Sequence, residues 1–364
     1  MKIGLARRGY SETGGAEAYL RRFAEAATAA GHDCMLYTTA GWPANRWPGQ
    51  LVRVAGANPI DFSRGLARAR AATPCDLLFS FERVSTCDVY RAGDGVHASW
   101  LHRRAKFEPK WKTWLRRFNS KHRAILTLEG QLFGTSGARR VIANSKFVRK
   151  EITRHFGFPE SRIDVIYNGL PPMEIPPGRR ETSRAEMGID SEEYVAVFVG
   201  SGWERKGLRF AVEAIRQMGE DAPLLLVAGR GDPKTMPPSL RVRYLGPHSD
   251  IPGLLAAADV FVLPTLYDPF SNACLEALSA GLPVITSRVN GFAEIIDPNV
   301  EADLLPRPND VDSIIFSLCA WADPFRRDTI RPRLIAKGAE YSIERNLKET
   351  LLALESVRVR YRLR

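Results

Sequence analysis

The chain has 364 residues, 45% of them hydrophobic and 26% charged, which is enough apolar material for two cores and too little for a membrane bundle. Its five cysteines (Cys34, Cys75, Cys87, Cys274, Cys319) are odd in number, scattered and without C-x-x-C spacing, which argues against a zinc site or a disulfide framework. A formal charge of +11 at pH 7 calls for an acidic partner: nucleic acid, anionic lipid or a phosphorylated substrate.

Short Val/Ile/Leu runs alternate with amphipathic helical stretches, the pattern of a parallel α/β sheet. Lys2–Ala6 reads as a first strand rather than a secretory leader, so a cytoplasmic chain is expected. Gly14-Gly15 then opens a helical pattern through Ala30 that Gly31 ends. Strands are predicted at Cys34–Thr38, Leu51–Val54, Leu77–Phe81, Val141–Ala143 and Ile163–Tyr167. Residues 169–178, rich in Pro and Gly and without periodicity, read as a linker. A second strand series follows at Val195–Val199, Leu224–Ala228, Val242–Leu245, Val260–Leu263 and Val284–Thr286. The expected organisation is an N-terminal domain over 1–170, a linker over 171–180, a C-terminal domain over 181–342, and a last helix over 343–364 belonging to either domain. Two such domains would leave a cleft, with ligands beyond the carboxyl ends of the strands.

Three segments carry chemistry. Gly14 and Gly15, between the first strand and its helix, let backbone N–H groups approach an anion; equally, they make a plain turn. The segment is not G-x-G-x-x-G, so the dinucleotide fingerprint of a dehydrogenase is missing. Gly200-Ser-Gly-Trp-Glu-Arg205-Lys206-Gly207 sits where a second-domain strand should end and a helix start. There Lys206 offers a point charge and Arg205 a planar fork to a diphosphate, unless both are solvated loop residues. The third and most specific segment runs from Tyr267 to Ile285. Ser271, Asn272 and Ala273 fall where a helix should begin, with N–H groups open to phosphate or sugar oxygens. Glu276, one turn in, is placed to accept hydrogen bonds from two vicinal hydroxyls such as a ribose offers, and Asp268 lies on the preceding loop.

From this string outward the chain resembles the retaining GT-B-fold glycosyltransferases of family four. Their hallmark is Glu, seven residues, Glu; here Asp268 replaces the first and Glu276 is the second. Further matches run in the same order: Gly14-Gly15-Ala16-Glu17, Val141-Ile-Ala-Asn144-Ser145, Ile163 to Gly169, Gly200 to Gly207, and Leu255 to Val260. Within the family, Asp88-Val-Tyr-Arg-Ala-Gly-Asp94, the basic stretch after it and Gly291-Phe292 are most similar to the inner-core glucosyltransferases of bacterial lipopolysaccharide. The resemblance implies two Rossmann-like doubly wound α/β domains facing each other across a cleft. It further implies metal-independent, retaining transfer of a hexose from a UDP-sugar, as co-substrate with no other cofactor, to a heptose of a glycolipid acceptor. By position, Arg205 and Lys206 would hold the diphosphate and Glu276 the ribose. Gly14, Gly15, Gly200, Asp268, Phe270, Ser271, Asn272 and Ala273 would complete the donor site. Asp94 falls near the reacting sugar face, with His97 as the competing candidate. The shorter Asp268 bears on the donor sugar more than on the reaction class. An epimerase or phosphorylase of the same architecture, and a binding module without turnover, are the other readings.

The positive charge is concentrated. Residues 102–123 hold nine Lys/Arg against one acid, Glu108. Trp111, Trp114, Leu115, Phe118 and Ile125 follow helical spacing within that stretch. It reads as a helix packing its aromatic stripe on the core, or as a surface for an anionic membrane using Arg103, Arg104, Trp111, Trp114, Arg116 and Arg117. No nucleic-acid motif accompanies the charge. A peripheral position on the inner face of the cytoplasmic membrane would follow from the membrane reading.

Overall fold

The computed structural model describes residues 1–11, 15–56, 58–298 and 300–362, with side chains up to 357. The chain forms two compact units, Met1–Tyr167 with Arg345–Arg364, and Asn168–Glu344.

In chain order the first unit contains β1 (Lys2–Ala6), α1 (Gly15–Ala29), β2 (Asp33–Thr38), β3 (Gln50–Arg53), α2 (Pro59–Ala72), β4 (Leu77–Ser80), β5 (Cys87–Ala92), α3 (His97–Arg104), α4 (Lys110–Arg116), α5 (Ser120–Leu132), β6 (Ala138–Ala143), α6 (Lys146–Phe156) and β7 (Ile163–Val165). The seven strands are parallel in the order β3-β2-β1-β4-β5-β6-β7. Helix α1 buries Leu20, Phe23, Ala24 and Ala27, a stripe at three- and four-residue spacing, and Gly31 follows with φ +80°.

Strand β5 was not among the predicted strands. Its sequence, Cys-Asp-Val-Tyr-Arg-Ala, breaks the apolar run with Asp88 and Arg91. Asp88 is nonetheless buried, because it receives Arg70 Nη2 at 2.6 Å, Arg139 Nη1 at 3.1 Å and the Leu78 backbone N–H at 2.8 Å. Asp88→Ala would leave that N–H and two guanidiniums without their acceptor. We expect a loss of about 2–3 kcal/mol in urea unfolding, both arginines being partly solvated.

The basic stretch is not one helix. Asn119 ends the pattern, its side chain accepting from His122 N at 3.2 Å to cap α5. Ile125 therefore lies on α5, apart from Trp111, Trp114 and Leu115 on α4.

The second unit contains α7 (Arg179–Glu186), β8 (Val195–Val199), α8 (Trp203–Lys206), α9 (Leu208–Met218), β9 (Leu224–Ala228), β10 (Val242–Gly246), α10 (Ile251–Ala257), β11 (Val260–Leu263), α11 (Asn272–Ser279), β12 (Val284–Ser287), β13 (Ala302–Leu305), α12 (Val311–Ala320) and α13 (Pro324–Ala339). Its six strands are also parallel, in the order β10-β9-β8-β11-β12-β13. The edge strand β13, Ala-Asp-Leu-Leu, is the second strand that the apolar pattern did not announce. The last helix, α14 (Ile343–Arg362), starts in this unit and continues into the first. Leu170 exchanges backbone hydrogen bonds with Tyr341 and Ile343, so the outgoing and returning chain segments pair. Gly169 permits this approach: a Cβ there would meet Ser342 O at 2.1 Å.

Candidate functional site

Sheet order in the second unit reverses between β8 and β11. At such a point the loops leaving the two strands diverge and open a crevice at their carboxyl ends. The two segments singled out in the sequence follow these two strands.

After β8 the chain turns through Gly200-Ser201-Gly202 into α8, a single turn ended by Gly207. Gly207 holds φ +74°, and a Cβ on it would meet Pro264 O at 1.9 Å, so the turn is seated directly on the loop that follows β11. Leu266 N and Thr265 Oγ1 both donate to Arg205 O, at 2.8 and 2.9 Å. These contacts fix the backbone that presents Arg205 and Lys206. Arg205 is half-buried and the Lys206 side chain largely buried, its stem passing over Gly200.

After β11 the loop carries Asp268, which is buried and ion-paired with Lys206 Nζ. Ser271 caps α11, its Oγ accepting from Cys274 N at 3.3 Å. The first-turn N–H groups of Asn272 and Ala273 have no intrahelical acceptor and lie at the positive end of the helix. Asn272 is exposed, and its Oδ1 accepts from Asn168 Nδ2 at 2.8 Å. Phe270 is buried edge-on against Phe292. Glu276, half-buried one turn into α11, is pushed up to about 7 by desolvation, against which the Lys206 charge pulls the other way.

Asn290, buried in the turn after β12, supports this loop and carried no role in the sequence reading. Its Oδ1 accepts from Ser271 N at 3.2 Å and Phe292 N at 3.1 Å, while its Nδ2 donates to Thr286 Oγ1 at 3.1 Å and Cys274 Sγ at 3.4 Å. One amide thus satisfies four groups. The only signal for it in the sequence is an Asn before Gly-Phe after a strand.

The remaining candidates lie in the first unit. Gly14 falls outside the described residues; Gly15 opens α1, and a Cβ there would meet nothing within 4 Å. Asp94 is 73% exposed and 3.8 Å from Arg83 Nη1. His97 is held through backbone and ring: its backbone N–H donates to Glu129 Oε1 at 2.6 Å, and its ring Nε2 lies 3.0 Å from His122 Nδ1. Burial, reinforced by the Arg83 charge, pushes His97 down to about 4, and burial also lowers His122. The pair is therefore neutral at pH 7, one ring donating to the other. Glu129 is fully buried yet satisfied, by Arg83 Nε at 2.9 Å and by the first N–H groups of α3, and it too escaped the sequence reading.

In the basic stretch Trp111, Trp114, Leu115 and Phe118 are 51–63% exposed, so they are not a stripe packed on the core. Three of the cations named with them are engaged internally. Arg103 pairs with Glu151 at 3.0 Å, and Arg104 pairs with Glu108 at 2.6 Å; Arg116 pairs with Glu108 as well. Lys106, Lys110, Lys112, Arg117 and Lys121 are exposed around the aromatics.

Among the described residues no three His, Cys, Asp or Glu side chains come together in a way that could hold a metal ion, and no helix is long and apolar enough to cross a membrane. A cationic turn and an open helix N-terminus at the switch point of a parallel sheet, with a carboxylate one turn along, define a site for a phosphate-bearing ligand with vicinal hydroxyls. Known proteins agree with that class. The glycosyltransferase family 4 domain matches residues 13–173 and the glycosyl transferases group 1 domain matches residues 193–322. This chain belongs to the glycosyltransferases that join these two domains.

Among curated relatives, a glycosyltransferase of Methanocaldococcus jannaschii is 30% identical over 64% of this chain and 64% of its own length. The lipopolysaccharide glucosyltransferase WaaG of Escherichia coli is 25% identical over 79% of this chain and 80% of its own. Among solved structures, WaaG superposes with a TM-score of 0.81 at 21% identity, covering 97% of this chain and 99% of that one. Anabaena HepE in complex with UDP and glucose gives 0.73 at 18% identity, over 98% and 100%. These likenesses establish the GT-B fold class, two Rossmann-like parallel sheets.

Proposed function

We propose that the protein transfers a hexose, glucose foremost, from a UDP-sugar to a heptose of a lipopolysaccharide-core-type acceptor with retention of anomeric configuration and without a metal. The observation that carries this reading is the convergence of Lys206, Asp268 and the α11 N-terminus at one switch point. The names of WaaG and of the HepE complex supply the donor and acceptor classes.

In the proposed reaction the bond between the anomeric carbon and the diphosphate oxygen breaks. The acceptor hydroxyl oxygen bonds that carbon from the same face. Its proton passes to the departing diphosphate oxygen. Charge grows on the diphosphate as the bond opens, and preorganised donors aimed there lower the barrier. Lys206, Arg205 and the N–H groups of Asn272 and Ala273 fill that role. Glu276 receives the ribose hydroxyls, and Phe270 and Ser271 shape the loop beneath the donor. Asp268, released by Lys206 as the diphosphate takes over the ammonium, accepts a hydroxyl of the sugar. Asp94 and Gly15 belong to the acceptor-side unit.

Calorimetric titration with UDP-glucose beside UDP, ADP-heptose and GDP-mannose, without divalent metal, tests the donor. UDP-selective binding is expected. Selective binding of an ADP- or GDP-sugar would replace the donor, and absence of nucleotide binding would favour a module without turnover.

The second part of the proposal is a peripheral seat on an anionic membrane. Its support is the exposed Trp111, Trp114, Leu115 and Phe118 with exposed lysines around them, each such cation being worth about 1 kcal/mol near anionic lipid. Arg117 acts with them, while Arg103, Arg104 and Arg116 act mainly by holding the segment in shape. Sedimentation should favour anionic over neutral vesicles. The double variant Trp114→Ala, Phe118→Ala should lower that partition at least about tenfold. Equal pelleting with both vesicles would refute the seat.

A further inference from the structure

Three arginines of the second unit converge on one carboxylate, Asp259, at the amino end of β11, the opposite end of the sheet from the donor site. Arg180 Nη2 lies 2.7 Å from Asp259 Oδ1, Arg327 Nη2 lies 3.5 Å from the same oxygen, and Arg184 Nη2 lies 2.9 Å from Oδ2. A fourth, Arg331, follows one turn beyond Arg327 on α13 and feels the charges of Arg180, Arg327 and Asp259. Its stem rests on Gly281, where a Cβ would meet Arg331 Cγ at 2.7 Å.

The four are not equally committed. Arg184 is buried and fully spent on Asp259 and the carbonyls of Ala257, Asp190, Ser191 and Glu193. Arg327 also bonds the Trp321 and Ala322 carbonyls, and Arg180 the Ala258 carbonyl. Arg331 has, among the described residues, one ion pair, with Asp328 at 3.9 Å, and Asp328 is itself 76% exposed. Burial, and after it the Arg180 charge, lowers the Arg331 pKa, so the two guanidiniums repel each other. Four positive charges thus stand against Asp259 and Asp328. The side chains of Arg180 and Arg331 are 34% and 35% exposed, which leaves the group open to a solute.

We propose that Arg180, Arg327 and Arg331 form a binding site for a phosphate dianion, free or as the terminal group of a small phosphomonoester. Its two charges match the local excess. Its oxygens suit the planar forks of Arg331 and Arg180, and the charge-assisted hydrogen bonds formed replace the repulsion between them. Because Gly281 closes the turn after α11, the site touches the far end of the helix whose N-terminus faces the donor.

The test is calorimetric titration of the full chain with inorganic phosphate, and separately with glycerol 3-phosphate, at constant ionic strength and in saturating UDP. UDP fills the donor phosphate site, so the remaining heat reports elsewhere. Binding of either ligand to the wild type is expected, weakened at least about tenfold in Arg331→Gln and in Arg180→Gln, and less in Arg331→Lys, which keeps the charge without the fork. Which of the two ligands binds tells the free ion from the monoester. Should UDP itself fail to bind, the donor reading falls, while the same comparison without UDP still reads Arg331. Melting curves certify that each variant is folded. No phosphate or monoester binding by the wild type, or equal binding by Arg331→Gln and Arg180→Gln, would overturn the proposal.

Discussion

Lys206→Ala should slow turnover by about 10²–10³-fold while leaving the apparent affinity for the donor much less affected, the loss expected for one preorganised donor to a developing charge. The structure adds a second consequence to that expectation. Lys206 pairs with Asp268, and both side chains are largely buried, 12% and 6% exposed. Removing the ammonium strands a buried carboxylate, so the variant should also lose stability, by about 3 kcal/mol. The double variant Lys206→Ala, Asp268→Asn isolates the stability effect: stability should recover, while turnover, now without either residue, should stay low. The measurements are steady-state kinetics with UDP-glucose and urea unfolding on the same preparations. Near-normal turnover in Lys206→Ala would remove Lys206 from the mechanism.

Glu276→Gln should make the protein more stable and bind its donor less well. Desolvation raises the Glu276 carboxyl from 4.5 to about 7, so the folded state prefers it protonated. The sign follows from linkage. A carboxyl raised on folding contributes stability that is complete below about 4.5 and is lost as pH rises through about 7. A displacement of that size corresponds to an order of about 1–3 kcal/mol for a half-buried group, so at pH 8 the neutral Gln should raise the unfolding free energy by that much. At pH 4 the two proteins should be equally stable. Donor binding moves the other way. The ionised carboxylate is the better acceptor for ribose hydroxyls, and its loss should weaken UDP by at least about tenfold. The wild-type affinity for UDP should likewise fall as pH drops below 7. If stability at pH 8 were unchanged in Glu276→Gln, the half-buried carboxylate would be better solvated than its surroundings indicate.

Much of this was legible in the sequence, for identifiable reasons. Strands such as Val260–Leu263 are continuous apolar runs because both faces of a parallel sheet are covered. The donor loop was legible because a cationic turn and a helix start each leave a local signature. What escaped was non-local. Strand β5 looked too polar because the partners of Asp88 come from α2 and β6, far along the chain. Glu129 and Asn290 read as ordinary polar residues; their roles exist only once the α3 N-terminus and the Ser271 loop are folded onto them. The basic stretch was misread as one helix because the aromatic spacing continued across Asn119, and spacing alone does not register a cap. That Glu108 absorbs Arg104 and Arg116 is likewise a matter of chain path.

The last helix sets the order in which the protein can be finished during synthesis. Residues 168–344 form a compact unit that is contiguous in sequence, so all of it is available before α14 is made. The first unit cannot be completed then, since it lacks α14. That helix buries Leu347, Leu354 and Val357, and it is held by Asn346 Nδ2 donating to Tyr167 O at 2.6 Å, by Tyr19 against Thr350 and by His32 against Glu355. The part made first therefore lacks the cover of Leu347, Leu354 and Val357 until α14 is translated. A nascent chain halted at Glu344 would hold all of the second unit and an unsealed first one, with apolar surface exposed where α14 belongs.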